Sequence, residues 1–187
     1  MRKLAKRVIF GILGLILPFA VYILIEIQTG NFHEVVKGEF YRSAQPTAHD
    51  LERYVARYGI KSVINLRGGN VGDAWYNEEL AAAKTLGLTH IDFRMKAAHE
   101  LTKEDAIQLM KLMREAPKPL LIHCRSGADR TGLAAAFYVA AIAKGGEEAA
   151  ERQLWMHYGH LPFYFNDAAA MDRTFERLEP YLGFNGS

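Results

Sequence analysis

Ten residues in the second half of the chain constrain it most: His123-Cys124-Arg125-Ser126-Gly127-Ala128-Asp129-Arg130-Thr131-Gly132, which carry the only cysteine among 187 residues. The apolar run Pro119-Leu120-Leu121-Ile122 before them reads as a buried strand, and Thr131 to Phe137 as the start of a helix. A loop so placed joins the carboxyl end of a strand to a helix N-terminus, where unpaired backbone N–H groups and the positive end of the helix dipole converge on one point. That makes an anion site with a thiol at one end and an arginine at the other. A cysteine in such a field is expected as a thiolate at neutral pH, a nucleophile that needs no separate base. Arg130 can hold two oxygens of a bound anion with its planar fork, which the point charge of a lysine does poorly.

Arg125, Ser126, Gly127, Ala128, Asp129 and Arg130 are expected to wrap the anion, Thr131 to donate its hydroxyl to the sulfur, and His123 to orient the loop and tune the thiolate. His-Cys-x5-Arg-Thr-Gly resembles the signature of the cysteine-dependent protein tyrosine phosphatase superfamily, in its compact dual-specificity branch. A second segment, Glu39-Phe40-Tyr41-Arg42-Ser43-Ala44-Gln45-Pro46, is similar to the Tyr-Arg-Ser-x-x-Pro stretch that opens many small bacterial, fungal and plant members. With Val63-Ile64-Asn65-Leu66-Arg67, the resemblance covers about residues 35–180. It implies two-step hydrolysis of a phosphate monoester through a cysteinyl-phosphate, with no metal or cofactor. The implied substrate is phosphotyrosine on a protein, the alternative a phospholipid headgroup or phosphoinositide; a phosphoprotein-binding module without catalysis is a third reading. A rhodanese-like sulfur carrier also presents a cysteine in an anion loop, but its loop is not expected to end in Arg-Thr-Gly.

One carboxyl group must protonate the leaving oxygen and later activate water. The resemblance implies an aspartate for this on the loop after the strand preceding the nucleophile's, here Met95 to Leu101. The stretch has none, and its one carboxylate is Glu100. Glu100 is therefore the first candidate. Asp129 is the second, because myotubularin-like lipid phosphatases carry an aspartate at the equivalent place. Asp92 comes third; it alternates with His90 and Arg94 on one strand face and is expected in a structural ion pair. Arg42 could face the substrate or be salt-bridged. Trp75 and Tyr76 could line a pocket wall or pack. Trp155, His157, Tyr158 and His160 lack acidic or cysteine companions at metal-ligand spacing and read as packing.

The front of the chain differs from the rest. Arg2, Lys3, Lys6 and Arg7 precede an uncharged apolar run from Val8 to Ile25, close to the ~20 residues needed to cross a bilayer. No small-x-small cleavage site follows it, so residues 1–27 are expected as a membrane anchor or uncleaved signal. The basic preamble predicts a cytoplasmic N-terminus and a catalytic domain across the membrane, periplasmic in a bacterium. The formal charge is +2; the four N-terminal basic residues account for +4, so the remainder carries −2. No basic stripe is left for nucleic acid.

Residues 28–38 read as a short linker and 39–187 as one domain. Strands are expected near 39–43, 61–66, 89–95 and 119–123, alternating with helices at 47–58, 74–86 and 102–115, the first two closed by Gly59 and Gly87. Helices near 147–157 and 165–179 follow. This order predicts an α/β fold, a largely parallel central sheet flanked by helices.

Overall fold

The computed structural model describes Gly14, Val21, Tyr22, Ile25, residues 28–161 and residues 168–184. Five strands form one sheet: β1 (His33–Val36), β2 (Phe40–Ser43), β3 (Ser62–Asn65), β4 (Thr89–Asp92) and β5 (Leu120–His123). Their spatial order is β1-β2-β5-β3-β4. Only β1 runs antiparallel to its neighbour, and the other pairings are parallel. The helices are α1 (Ala48–Tyr58), α2 (Ala74–Thr85), α3 (Lys103–Glu115), α4 (Asp129–Phe137), α5 (Glu147–Glu151) and α6 (Ala169–Leu182).

Alternation along the three central strands sorts their side chains between two layers. Phe40, Ile64, Leu120 and Ile122 face one side, where Leu109 and Met113 of α3, Leu133 and Phe137 of α4 and Phe175 of α6 meet them. Tyr41, Val63 and Leu121 face the other, against Leu51 and Tyr54 of α1 and Ile60. All four residues of β2, β3 and β5 are buried, as strands covered on both faces must be. Each fully buried Leu or Ile contributes about 1.5–3 kcal/mol of transfer free energy. The same alternation places His123 with Leu121 on the α1–α2 side and Arg42 with Phe40 on the α4 side.

Local signals act where expected. Thr47 and Asp50 form a reciprocal capping box at the start of α1, and Gly59 closes that helix with φ +68°. Thr102 caps α3 by accepting from the Asp105 amide at 3.1 Å. Two expectations are corrected. The stretch 28–38 is not merely a linker: His33–Val36 adds an antiparallel edge strand, and Val35 and Val36 pack against the core. The single helix expected over 147–157 stops at Glu151 and continues as two short 3-10 turns, separated at Trp155, whose backbone is extended. Arg42 Nη1 donates to the Gln153 carbonyl at 2.8 Å, taking the acceptor that a further helical turn would use.

The apolar run 8–25 lies almost wholly outside the described residues. Among those described, no helix is long and apolar enough to cross a membrane. Tyr22 reaches the domain, its hydroxyl 2.8 Å from His157 Nδ1 and its ring stacked on the imidazole.

Candidate active site

Cys124 leaves the end of β5 and is 1% exposed. Arg125 to Ala128 form a bend, and α4 begins at Asp129. The first amides of a helix have no carbonyl of their own to bond. Arg125 and Ser126 are exposed, Gly127 and Ala128 buried, Asp129 and Arg130 half-buried. Arg130 is steadied by the Met95 carbonyl, which accepts from Nη1 at 3.3 Å. The loop thus joins the carboxyl end of β5 to the N-terminus of α4.

Gly127 is required here. Its φ is +75°, and an added Cβ would lie 2.7 Å from both the Ala44 nitrogen and the Ser43 carbonyl carbon. The loop is tied down from three directions. Gln45 N–H donates to the Arg125 carbonyl at 3.2 Å, and Asn31 Nδ2 to the Ser126 carbonyl at 3.0 Å. From beneath, Arg42 Nη2 donates to the carbonyls of Gly127 at 2.8 Å and Ala128 at 3.3 Å. Arg42 is fully buried, with its guanidinium 3.7 Å from the Tyr158 ring centre; burial pulls its pKa down to about 10. Its partners among the described residues are backbone carbonyls, the Gln153 side chain and the Tyr158 ring. It is the strut of the loop.

Thr131 Oγ1 is buried without a hydrogen-bond partner, an orphaned hydroxyl beside the loop. His123 is fully buried, with Nδ1 3.3 Å from the Cys124 carbonyl and Nε2 3.1 Å from Glu79 Oε1. Glu79, on α2, is 1% exposed and did not stand out in the sequence, where it reads as one more acidic residue on an amphipathic helix. Its Oε1 also faces His90 Nε2 at 2.6 Å, and Oε2 accepts from Gln45 Nε2. Burial pushes this carboxyl up, but the charge and hydrogen bond of His123, with His90 and Gln45, outweigh it and hold it at about 2.

Asp129 lies at the mouth of the loop, and its Oδ1 is 2.7 Å from His160 Nδ1; the other ring nitrogen of His160 is 2.9 Å from Asp172 Oδ2. Burial alone would lower the His160 imidazole, but the two carboxylates raise it to about 9. His160, read as packing in the sequence, thus belongs to the site. Glu100 points toward α6, with Oε1 2.7 Å from Arg173 Nε and Oε2 3.5 Å from Arg177 Nε. The expected ion pair of Asp92 with basic residues is replaced by neutral partners: Asn65 Nδ2 at 2.9 Å and the Tyr76 hydroxyl. That carboxylate drives Tyr76 up to about 12. Tyr76 is buried, while Trp75 carries the Arg67 guanidinium 3.3 Å from its ring centre.

A cleft of about 710 Å³ opens beside the loop, lined by Arg125, Ser126 and Ala128 on one side and by Gln28, Gly30, Asn31, Asp50 and Tyr158 on the others. Among the described residues, the one grouping dense enough for a cation is Glu147, Glu151 and Glu179, with oxygens within 4.8 Å of one another. It contains no residue of the loop.

A family profile described as a DSP-PTPase phosphatase fused to NAD+ kinase matches residues 19–170. The chain belongs to this family of cysteine-dependent, dual-specificity-like phosphatases. No curated protein matches it in sequence. Among solved structures, TpbA of P. aeruginosa in complex with pTyr is 20% identical with a TM-score of 0.58, covering 78% of this chain and 82% of that one. The catalytic core of the PP-IP phosphatase SIW14 from S. cerevisiae, in complex with citrate, gives 18% identity and a TM-score of 0.61 over 82% of this chain and 91% of that one. PTPMT1 gives 14% and 0.60 over 81% and 96%. At these identities the likeness is one of fold.

Proposed function

We propose that the protein hydrolyses phosphate monoesters by attack of the Cys124 thiolate on phosphorus. The P–S bond forms as the P–O bond to the leaving group breaks, and a carboxyl group gives that oxygen its proton. Water then attacks phosphorus, its proton passes to the same carboxylate, and the P–S bond breaks to release phosphate and the thiolate. Arg130 and the loop amides hold the three equatorial oxygens throughout. One observation carries this reading: the sole thiol sits where β5 hands over to α4, with Arg130 six residues on and held at the Met95 carbonyl.

We assign the leaving-group proton to Glu100. Its two ion pairs are exposed, and such pairs are worth only about 0–1 kcal/mol to break. Its loop starts at Met95, which already touches Arg130. Asp129 Oδ1 is already engaged by the buried His160 ring at 2.7 Å, which suits a brace better than an acid.

Phosphotyrosine on a protein is the substrate we favour, supported by family membership and by the TpbA complex with pTyr. A phospholipid headgroup is the second reading. The cleft beside the loop is lined in part by Gln28 and Gly30, directly after the apolar run, so a tether through residues 1–27 would present the loop to substrates at the membrane surface. We propose that tether as well, with the catalytic domain outside the cytoplasm. Turnover of an aryl phosphate, a set of phosphotyrosyl peptides and a set of phosphoinositides in vesicles tests the whole. Cys124→Ser should abolish turnover and keep phosphate binding; turnover surviving in that variant overturns the mechanism. Preference for vesicles over peptides overturns the protein substrate.

A further inference from the structure

Away from the loop, three acidic side chains converge. Glu147 and Glu151 stand one turn apart on α5, and α6 brings Glu179 to them, so that a carboxylate oxygen from each lies within 4.8 Å of the other two. Like charges so placed repel, the more so where water is excluded. Glu179 is 9% exposed. Its carboxylate meets no hydrogen-bond donor and no basic side chain among the described residues, and Glu147 Oε1 is likewise buried without a partner. Arg152, the nearest arginine along the chain, pairs instead with Glu148 at 3.4 Å. We propose that Glu147, Glu151 and Glu179 form a binding site for a hard divalent cation of the calcium class, which ties α5 to α6. The inference stands apart from the reading of Cys124.

A buried carboxylate stays ionised only beside a cation or a set of donors, and here burial leaves it beside further carboxylates. Burial, and after it Glu147, Glu151 and Glu176, push the Glu179 carboxyl up. One shared proton would neutralise a single acid of the three, whereas a doubly charged ion offsets most of their charge at once. The donor set is all oxygen, which suits hard cations. Ligands bound to one calcium ion at about 2.3–2.6 Å lie no more than about 5 Å apart, and the three oxygens already meet that limit. Magnesium, at about 2.0–2.1 Å, requires a tighter and strictly octahedral set.

An ion can reach the site and keep part of its hydration shell. Glu151 and Glu179 line a cavity of about 160 Å³ together with Trp155, Phe175, Asp172 and Glu176. Three carboxylates with water in the remaining positions place the affinity among the weak calcium sites, with dissociation constants of about 10⁻⁴–10⁻³ M. Gln153, whose carbonyl accepts from Arg42 Nη1, lies just beyond Glu151. A cation at Glu151 therefore steadies the segment on which the strut of the loop ends.

The full-length protein, stripped with EGTA, tests this with calcium alone. Calcium chloride at about 10 mM should raise the melting temperature by about 3–10 °C, and sodium chloride of equal ionic strength should not. Glu179→Gln should abolish the calcium response. In EGTA the same variant should melt no lower than the parent, because a carboxyl whose folded value is raised opposes folding above its ordinary value, and the amide removes that charge. A purely structural role for Glu179 predicts a lower melting temperature there, and that result overturns the site. Terbium gives a second readout: held by Glu151 and Glu179, it sits in the cavity that Trp155 lines. Tryptophan excitation should then yield terbium emission that calcium displaces and that Trp155→Phe largely removes. If Glu179→Gln fails to fold, Glu151→Gln, at an exposed position, decides on the same two readouts. An equal shift with sodium chloride would mean screening of like charges and overturns the proposal. So does a calcium shift, or terbium emission, that survives in the glutamine variant.

Discussion

The Arg42 guanidinium donates to the carbonyl of Gly127 at 2.8 Å from beneath the phosphate loop. A positive-φ glycine and a buried arginine thereby fix one another: the turn points its carbonyl down, and the strand residue rises to meet it. Arg42 also donates from Nη1 to the Gln153 backbone and side chain and from Nη2 to the Ala128 carbonyl, while its buried Nε has no hydrogen-bond partner. Arg42→Lys keeps the charge but replaces a planar fork with one ammonium that cannot span these acceptors. Urea unfolding should show a loss of about 2 kcal/mol or more, and the KM for an aryl phosphate should rise as the loop loosens. An unchanged midpoint and KM would show that the loop holds itself.

The candidate acids can be separated by the leaving group. Glu100→Gln should slow hydrolysis of an alkyl phosphate by about 10²–10⁴-fold, and that of an activated aryl phosphate far less. Asp129→Asn should weaken both alike, since it loosens the loop rather than withholding a proton. Leaving-group dependence in Asp129→Asn alone would move the acid into the loop and strengthen the lipid reading.

His160 makes stability depend on pH. Its folded value, about 9, lies above the ordinary value near 6.5. The cation therefore stabilises the fold fully below the unfolded value, and that contribution is lost as pH rises from about 6.5 through 9. The loss amounts to about 3 kcal/mol, readable as a falling urea midpoint over that window. His160→Gln should flatten the slope. Asp172→Asn should bring the loss to lower pH, because one of the two carboxylates that hold the proton is gone.

The tether is tested by fractionation. A reporter active only outside the cytoplasm, joined after Ser187, should be active and sediment with membranes. Activity in a soluble, shortened product would mean that the segment is removed, and a silent reporter would reverse the topology.

Much of this was legible in the residues. The turn from an apolar strand through Gly127 into a helix start was local, because backbone sterics act over a few residues. The capping box at Thr47 and Asp50 and the glycine stop at 59 are equally local. The linker reading of 28–38 failed for the complementary reason: four residues of edge strand carry too little pattern to be seen until β2 offers them partners.

The long-range pairings were decided by the tertiary structure alone. Glu79 lies 44 residues before His123 and Asp172 lies 12 after His160, and each looks like an ordinary surface charge in its own helix. Arg42 could have faced solvent, substrate or a carboxylate; strand register turned it under the loop. The strand–loop–helix turn around Cys124 and the order of strands and helices could be read from the residues, because local stereochemistry and hydrophobic alternation are written in neighbouring positions. Which charges were buried, and against whom, depended on elements that meet only when the sheet is covered, where desolvation makes an unpaired charge too costly to keep.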